Sequence, residues 1–266
     1  MSEPLLIVQD LRIDIGGVRV VDGVSFSLAA GETLGLVGES GSGKTLTALA
    51  LLRLLPPGAH VTGGAITLAG EDLVAAGEAR LRALRGGAMA MIFQEPMTAL
   101  DPVLRIGTQL ERVIVRHRDL SRLQARRVAM DALARVGIAT PKRMLGEYPH
   151  RLSGGMRQRV LIAMALACKP SVLIADEPTT ALDVTTQAQV LDLIVRLQAE
   201  LGFGVLLITH DLAVVAETCA RTVVMRAGRL VEEGETATLI AQPREAYTQT
   251  LLANTLRVRR PAEATP

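Results

Sequence analysis

The sequence predicts an α/β fold with a mostly parallel core sheet, and three observations support this prediction. The runs at 33–38, 171–176 and 203–210 are almost wholly apolar, as strands buried on both faces of a parallel sheet are. Helical patterns follow each of these runs. The first thirty residues alternate polar and apolar side chains instead, which indicates antiparallel strands with one buried face.

The N-terminal part is predicted to form an antiparallel β subdomain. Strands at 5–15 and 18–28 are joined at Gly16 and Gly17, which favour a hairpin turn, and a further β stretch follows at 63–73. Between them, the strand at 33–38 leads through a Gly/Ser loop into a predicted helix at 45–55. Strand, glycine loop and helix in this order are typical of a nucleotide-binding α/β unit.

A helical subdomain is predicted as an insertion at about 78–167. It contains a short strand at 88–94 and helices at 103–118 and 123–137. Ser121 and Gln124 have the spacing of a capping box, and Gly137 is a natural helix end.

After the insertion the α/β alternation resumes. A helix at 184–201 is expected to begin after Asp183 and to end at Gly202. A helix at 212–220 and strands within 221–234 complete the pattern. We therefore predict one domain at 1–255 and a flexible, charged C-terminal tail at 256–266.

The composition argues against several functional classes. The chain of 266 residues has no Trp, two Tyr and three Phe, too few rings for a sugar cleft or a base-stacking surface. Its net charge of +2 is too small for a general nucleic-acid footprint. The start lacks a secretory signal, and the longest apolar stretch, 160–168, is far shorter than the roughly 20 residues of a membrane span. If the protein works at a membrane, we expect other chains to span it.

One motif predicts binding of ATP or GTP. Residues 38–45 match G-x-x-x-x-G-K-[ST] at every fixed position, between a predicted strand and a predicted helix. Lys44 is expected to reach the β- and γ-phosphates, and the Thr45 hydroxyl to hold Mg²⁺. The predicted phosphate-binding residues are Gly38, Glu39, Ser40, Gly41, Ser42, Gly43, Lys44 and Thr45.

Two adjacent carboxylates predict hydrolysis. Asp176 and Glu177 end a buried strand, where ligands of open α/β sheets bind. Asp176 can hold Mg²⁺, and Glu177, which points the other way, can polarise the water that attacks the γ-phosphate.

The stretch 152–159, LSGGMRQR, resembles the signature sequence of the ATP-binding-cassette (ABC) ATPases. The resemblance implies the P-loop ABC ATPase fold and a dimer, in which each ATP meets one chain's phosphate loop and the partner's signature. The signature residues implied to contact the partner's ATP are Ser153, Gly154, Gly155 and Gln158.

Other positions resemble further motifs of the family. Gln94 is similar to the glutamine that reaches Mg²⁺ and water, Asp183 to the residue of the D-loop at the partner cassette, and His210 to the histidine on the γ-phosphate. The family's usual aromatic residue at adenine is replaced here by Ile15. The resemblance thus implies catalytic roles for Gln94, Glu177 and His210, and metal contacts for Thr45, Gln94 and Asp176.

The stretches at 94–102, 181–189 and 243–252 resemble the peptide and nickel importer branch. This implies an ATPase subunit on the cytoplasmic face of the inner membrane, with ATP and Mg²⁺. Its expected partners are a second ABC ATPase subunit, two transmembrane permeases docked near Gln94 and residues 95–100, and, indirectly, an extracytoplasmic solute-binding protein, with no nucleic acid. The alternatives are a cassette that serves nucleic acid, or the ATPase of an exporter.

Overall fold

The computed structural model describes residues 4–94, 99–180 and 182–259, with side chains to residue 254. The chain forms two compact units. The first contains the residues up to Ala75 and those from Leu206 onward, and the second contains Ala76–Val205.

The first unit contains most of the strands. Its N-terminal part comprises β1 (Pro4–Ile15), β2 (Val18–Ala29), β3 (Thr33–Val37), α1 (Lys44–Leu51), β4 (Ala59–Leu68) and β5 (Glu71–Asp72). The second unit comprises α2 (Glu78–Leu84), β6 (Met89–Ile92), α3 (Ile106–His117), α4 (Arg122–Arg135), α5 (Pro141–Met144), a 3₁₀ turn (Pro149–Arg151), α6 (Gly154–Leu166), β7 (Val172–Asp176) and α7 (Val184–Leu201). The chain continues through β8 (Gly204–Thr209), α8 (Leu212–Thr218), β9 (Arg221–Arg226), β10 (Arg229–Glu235), α9 (Thr236–Ala241) and α10 (Ala246–Arg259).

Four strands of the first unit form an antiparallel sheet in the order β2-β1-β4-β5. The predicted hairpin is present: Gly16 and Gly17 have φ of +57° and +84°, and Ile15 pairs with Val18. Two successive positive φ angles define the type I′ turn, whose twist matches that of the flanking strands. Alternate side chains such as Leu11 and Ile13 are fully buried, so the sheet has the single apolar face that the sequence predicts.

The remaining strands belong to the core sheet. In the first unit the strand order is β10-β9-β3-β8, with β9 parallel to β3 and β10 antiparallel to β9. In the second unit β6 lies parallel to β7, and every residue of β7 is buried. The predicted fold class, a mostly parallel sheet with an N-terminal antiparallel sheet and additional helices, is confirmed.

Helix α1 ends four residues before its predicted end at residue 55. Arg53 adopts the left-handed conformation with φ of +53°, and its N–H donates to Ala50 O at 3.0 Å. The N–H of Leu54 donates to Leu49 O at 2.9 Å, which completes a Schellman motif. The Arg53 guanidinium also donates to Val74 O at 2.6 Å. These tertiary and capping bonds end the helix where propensity alone would continue it.

Local signals in the second unit are confirmed. The Ser121 side chain accepts from the Gln124 N–H, and the Gln124 side chain accepts from the Ser121 N–H, as a capping box requires. Gly137, with φ of +82°, follows the end of α4. Helix α3 buries residues one turn apart, Ile106, Leu110 and Ile114, as an amphipathic helix of a bundle does.

The C-terminal part is more helical than the sequence suggested, because α9 and α10 were not predicted. Helix α10 extends to Arg259, and residues 260–266 of the predicted flexible tail lie outside the described residues. Along the described ranges, the structure has no helix with both the length and the apolarity of a membrane span.

The two cysteines of the chain differ in their surroundings. Cys219 is buried, and desolvation raises the pKa of its thiol to about 11. Cys168 is half-buried, and desolvation raises its pKa as well. Both thiols are therefore protonated at neutral pH, which makes them poor nucleophiles.

We expect Gly35→Ala to destabilise the fold, because a Cβ on this β3 residue would lie 2.7 Å from Cγ1 of Val215 in α8. Overpacking of this kind costs about 1–3 kcal/mol. The free energy of unfolding, measured by chemical denaturation, should fall by that amount. Gly234→Ala in β10 is the matched control, since no atom lies within 4 Å of its Cβ position. Equal stability of the two variants would contradict the tight packing of α8 on β3.

Candidate functional site

The loop between β3 and α1 is organised around the ammonium group of Lys44. This side chain is only 5% exposed, and its Nζ donates to Gly38 O at 2.7 Å, Glu39 O at 2.8 Å and Ser42 Oγ at 3.3 Å. Hydrogen bonds from a charged donor are stronger than neutral ones. The lysine of the predicted phosphate-binding motif therefore lies inside the loop and holds its curvature.

Two glycines of this loop are required by geometry. A Cβ on Gly38 would lie 2.1 Å from the backbone oxygen of Met225 in β9, a distance that no side chain can accept. Gly43 precedes α1 with φ of +102°, in the left-handed region that L-residues avoid. The loop thus packs directly on the β9 backbone at Gly38, and it enters α1 through a conformation that favours glycine at Gly43.

The turn between β9 and β10 supports the same loop from outside. The N–H of Gly228 in this turn donates to Ser42 O at 2.9 Å, and Gly228 O accepts from the N–H of Asp22 in β2 at 2.8 Å. A third support comes from Tyr247 in α10, whose hydroxyl accepts the N–H of Glu39 at 3.0 Å. Sequence reasoning missed this contact, because the residues are 208 positions apart and no local pattern links them.

The start of α1 is suited to an anion. Gly43 at the N-cap provides no side-chain hydrogen bond to the helix. The first N–H groups of a helix have no intrahelical acceptor and carry partial positive charge. Thr45 lies in this first turn with its side chain exposed. Backbone donors, an ammonium and a hydroxyl are the groups that a triphosphate with its metal requires.

Two other candidates lie in the first unit. His210 follows β8 and is exposed, and the next residue, Asp211, caps α8 by accepting the Ala213 N–H at 2.8 Å. Ile15, the candidate adenine contact, ends β1 and is half-exposed, with its backbone opposite Ala59 in β4. The roles of both residues stay predictions.

In the second unit, the structure brings two candidate catalytic residues together. Gln94 follows β6, and its Nε2 donates to Oε2 of Glu177 at 3.1 Å. The hydroxyl of Thr180 donates to the same oxygen at 2.9 Å. Glu177 directly follows β7 with φ of +45°, a left-handed backbone that is unusual for glutamate. Two donors and the backbone together fix the direction of this carboxylate.

Asp176, the last residue of β7, is the preceding candidate. It is 2% exposed, whereas Glu177 is half-buried. The two carboxylates are therefore in different environments, one buried at the end of the strand and one partly open to solvent just beyond it.

The signature residues begin α6. The Ser153 hydroxyl caps this helix by accepting the Met156 N–H at 3.3 Å. A Cβ on Gly155 would lie 2.6 Å from Cγ2 of Thr186 in α7, so the two helices touch at this glycine. The start of α6 and the start of α7 line one open cavity of about 360 Å³, which includes Gly154 and Asp183 among its walls. The signature and the D-loop residue thus form one surface.

Asp183 has a structural role in this surface. Its carboxylate accepts the Thr186 N–H at 2.9 Å and the Thr186 hydroxyl at 2.7 Å, which caps α7 as the sequence predicts. The bond from the Thr186 hydroxyl is the main cause that lowers the pKa of Asp183. The cap is therefore ionised at neutral pH, and it weakens only as the pH falls through this lowered pKa.

Gln158 differs from the other signature candidates. Its side chain is fully buried, with 0% exposure, whereas Ser153 and Gly154 are exposed. A buried amide presents no surface to a nucleotide held by another chain. The exposed part of the signature is thus confined to the first residues of α6.

The candidate residues fall into two groups, one in each unit. The first unit holds the phosphate loop, Ile15 and His210, and the second holds Gln94, Asp176, Glu177, the signature and Asp183. Residues 95–98 of the expected docking segment and Ala181 of the D-loop lie outside the described residues.

The family model described as ABC transporter matches residues 21–180. The chain is 51% identical over 94% of its length, and 76% of the relative's, to a probable peptide ABC transporter ATP-binding protein of Sinorhizobium fredii. It is 47% identical to the dipeptide transport ATP-binding protein DppD of Bacillus subtilis, over 96% of the chain and 78% of the relative.

Solved structures of ABC cassettes are also similar to this chain. The chain resembles CbiO1 of Clostridium perfringens, part of an ABC transporter complex, with a TM-score of 0.79, 25% identity, and coverage of 97% of this chain and 96% of that one. It also resembles a dimeric ATP-binding cassette, MJ0796, bound to ADP and Pi, with a TM-score of 0.76, 25% identity, and coverage of 87% and 98%.

Fold, phosphate loop and signature together define a nucleotide-hydrolysing cassette. The chain belongs to the ABC transporter family. Within that family it is an ATPase, as the sequence predicts.

We expect Gly155→Ala to disturb the contact between signature and D-loop, because the added methyl group would collide with Thr186, whose hydroxyl is bound to Asp183. Overpacking should lower the free energy of unfolding by about 1–3 kcal/mol in chemical denaturation. The double variant with Thr186→Ser removes Cγ2, keeps the hydroxyl, and should recover most of this loss. Thr186→Ser alone is the control, and failure of the double variant to recover would contradict the collision.

Proposed function

We propose that this chain is the ATP-hydrolysing subunit of an ABC importer for di- or oligopeptides. The observation that carries the ATPase mechanism is the phosphate loop closed around the Lys44 ammonium, with the uncapped start of α1 beside it. Identities of 47–51% to transport proteins with peptide or dipeptide names support the cargo.

Binding of ATP is assigned to the loop and its lysine. The backbone N–H groups of the loop at 38–45 and of the start of α1 bind the phosphates, apart from the Glu39 N–H, which donates to Tyr247. Lys44 exchanges its carbonyl acceptors for the β- and γ-phosphate oxygens. Ile15 packs on adenine through its aliphatic side chain, without the stacking that an aromatic ring provides.

Three residues are assigned to Mg²⁺: the Thr45 hydroxyl, the Gln94 amide oxygen and the Asp176 carboxylate. The donor set fits the ion, because Mg²⁺ prefers hard oxygen ligands. When bound, the ion neutralises charge that develops on the phosphates.

Hydrolysis is assigned to Glu177, which orients and polarises the attacking water. The bonds from Gln94 and Thr180 hold one carboxylate oxygen at 3.1 Å and 2.9 Å, and so reduce the freedom of the side chain before the reaction. His210 contacts the γ-phosphate as a hydrogen-bond donor.

A second cassette, either a copy of this chain or a related one, completes the working unit. The exposed start of α6 offers N–H donors to the nucleotide of that partner, through Ser153, Gly154 and Gly155. Asp183 lies on the same cavity wall, and in the proposed dimer it faces the partner cassette. The dimeric form of the similar cassette MJ0796 supports this arrangement.

The importer further contains two membrane permeases and an extracytoplasmic binding protein. This chain acts at the cytoplasmic face of the inner membrane as a peripheral subunit, and ATP-driven closure of the cassette pair switches the permeases. Peptides are favoured over nickel as cargo, because the relatives reported above carry peptide or dipeptide names. The net charge of +2 disfavours the alternative of a cassette that serves nucleic acid.

We expect Glu177→Gln to bind ATP within about threefold of the wild-type affinity and to lose at least about a hundredfold in turnover, since the amide cannot accept a proton. Steady-state phosphate release and equilibrium ATP binding measure the two quantities. Glu200→Gln, a surface carboxylate paired with Arg135, is the control and should keep full turnover. Turnover of Glu177→Gln near the wild-type rate would remove Glu177 from catalysis.

The cargo is tested by uptake in a strain that lacks only this chain. We expect labelled dipeptide uptake to be lost, restored by the wild-type chain, and not restored by Glu177→Gln. Nickel uptake, measured in the same cells, should be unchanged. Loss of nickel uptake with intact peptide uptake would contradict the proposed cargo.

A further inference from the structure

The last helix touches the phosphate loop through one side chain. Tyr247 lies in the first turn of α10, is 8% exposed, and its hydroxyl oxygen accepts the N–H of Glu39 at 3.0 Å. The bond joins the C-terminal part of the chain to the second residue of the phosphate-binding motif. Nothing in the mechanism above uses this tyrosine.

The hydrogen bond to Tyr247 and the bond from Lys44 together hold both ends of one peptide group. The N–H of Glu39 and the carbonyl of Gly38 belong to the same planar peptide unit. Lys44 Nζ holds the carbonyl end at 2.7 Å, and Tyr247 holds the N–H end. Neither end of this plane can turn without breaking a hydrogen bond.

ATP binding affects these two hydrogen bonds, from Lys44 to Gly38 and from Glu39 to Tyr247, in different ways. Under the function proposed above, the Lys44 ammonium turns toward phosphate oxygens and gives up or shares its carbonyl acceptors. The bond to Tyr247 does not involve the ammonium, so it remains. At that moment the tyrosine hydroxyl is the side-chain contact that still fixes the Gly38 to Glu39 peptide.

The position of Tyr247 is itself fixed by the first unit. The Glu232 carboxylate in β10 accepts the N–H of Arg244 at 2.8 Å and of Glu245 at 3.2 Å, which anchors the segment leading into α10. The Arg226 guanidinium at the end of β9 lies 4.8 Å from the centre of the Tyr247 ring, a cation–π contact. The hydroxyl therefore meets the loop at a set distance.

We propose that Tyr247 is a positioning residue of the phosphate loop. It holds the Gly38 to Glu39 peptide so that the loop is already shaped for a triphosphate before and while Lys44 changes partners. The residue acts through the loop and does not contact the nucleotide. The inference rests on the proposed role of this loop in ATP binding.

The matched test compares two hydroxyl deletions in α10. Tyr247→Phe removes the bond to Glu39 and keeps the buried ring and its contact with Arg226. Thr250→Val removes a hydroxyl that donates to Ala246 O at 2.9 Å within the helix, away from the loop. Because Glu39 is exposed, water can satisfy its N–H in Tyr247→Phe. The variant should therefore fold, with its denaturation midpoint equal to that of Thr250→Val.

Equilibrium ATP binding and steady-state hydrolysis by the full chain provide the readout. We expect Tyr247→Phe to raise the Kd and KM for ATP about three- to tenfold, the effect of one hydrogen bond, with kcat changed less than about twofold. Thr250→Val should match the wild type in all three values. A Kd for Tyr247→Phe within twofold of the control, or a fall in kcat at unchanged KM, would overturn the inference.

Lys44→Ala, measured in parallel, distinguishes failure of the Tyr247 role from failure of the proposed phosphate-loop function. If it loses ATP binding while Tyr247→Phe binds normally, the phosphate loop keeps its proposed role and only the positioning role of Tyr247 fails. If Lys44→Ala binds ATP like the wild type, the proposed loop function itself fails.

Discussion

The buried ammonium of Lys44 is the interaction on which the phosphate loop depends. A cation that is 95% shielded from water must be compensated by acceptors, and the loop supplies two backbone carbonyls and a hydroxyl within 3.3 Å. The same tight loop that brings these acceptors together also places Gly38 against the backbone of Met225. The glycine, the tight curvature of the loop and the buried ammonium thus belong to one structural arrangement.

Two glycines of the candidate site, Gly38 and Gly155, lie in close contact with a neighbouring element. At Gly38 the neighbour is a strand backbone, and at Gly155 it is the methyl group of Thr186. At Gly38 the bond from Lys44 holds the loop itself, and at Gly155 the bond between Thr186 and Asp183 holds the neighbouring start of α7. Close packing and hydrogen bonding therefore act together, because a loop that can drift does not keep its donors aligned.

Features determined by a few neighbouring residues were predictable from the sequence. The hairpin at Gly16, the capping box at Ser121 and the cap at Asp183 follow from local chemistry, and the structure has all three. The early end of α1 was not predictable, because Arg53 is a good helix former whose left-handed backbone is fixed by bonds to distant groups.

The residues of the candidate site also differ in whether the sequence alone could predict their arrangement. Gln94 was identified by its resemblance to a motif of the family and Glu177 by its place after a buried strand, and the structure joins the two by a hydrogen bond. The burial of Gln158 and the contact of Tyr247 with Glu39 depend on tertiary packing. No periodicity or spacing in the sequence carries that information, so both appear only in three dimensions.

The left-handed backbone of Glu177 affects which amino acids evolution or engineering can place at this position. A left-handed conformation costs a residue with a Cβ about 1–2 kcal/mol relative to a regular one, and glycine or asparagine adopts it more readily. At position 177, the backbone conformation and the proposed catalytic role of the side chain thus favour different amino acids. Under the proposed role of Glu177, selection for thermal stability alone would favour residues that cannot polarise water, and would stabilise the fold at the expense of ATP hydrolysis.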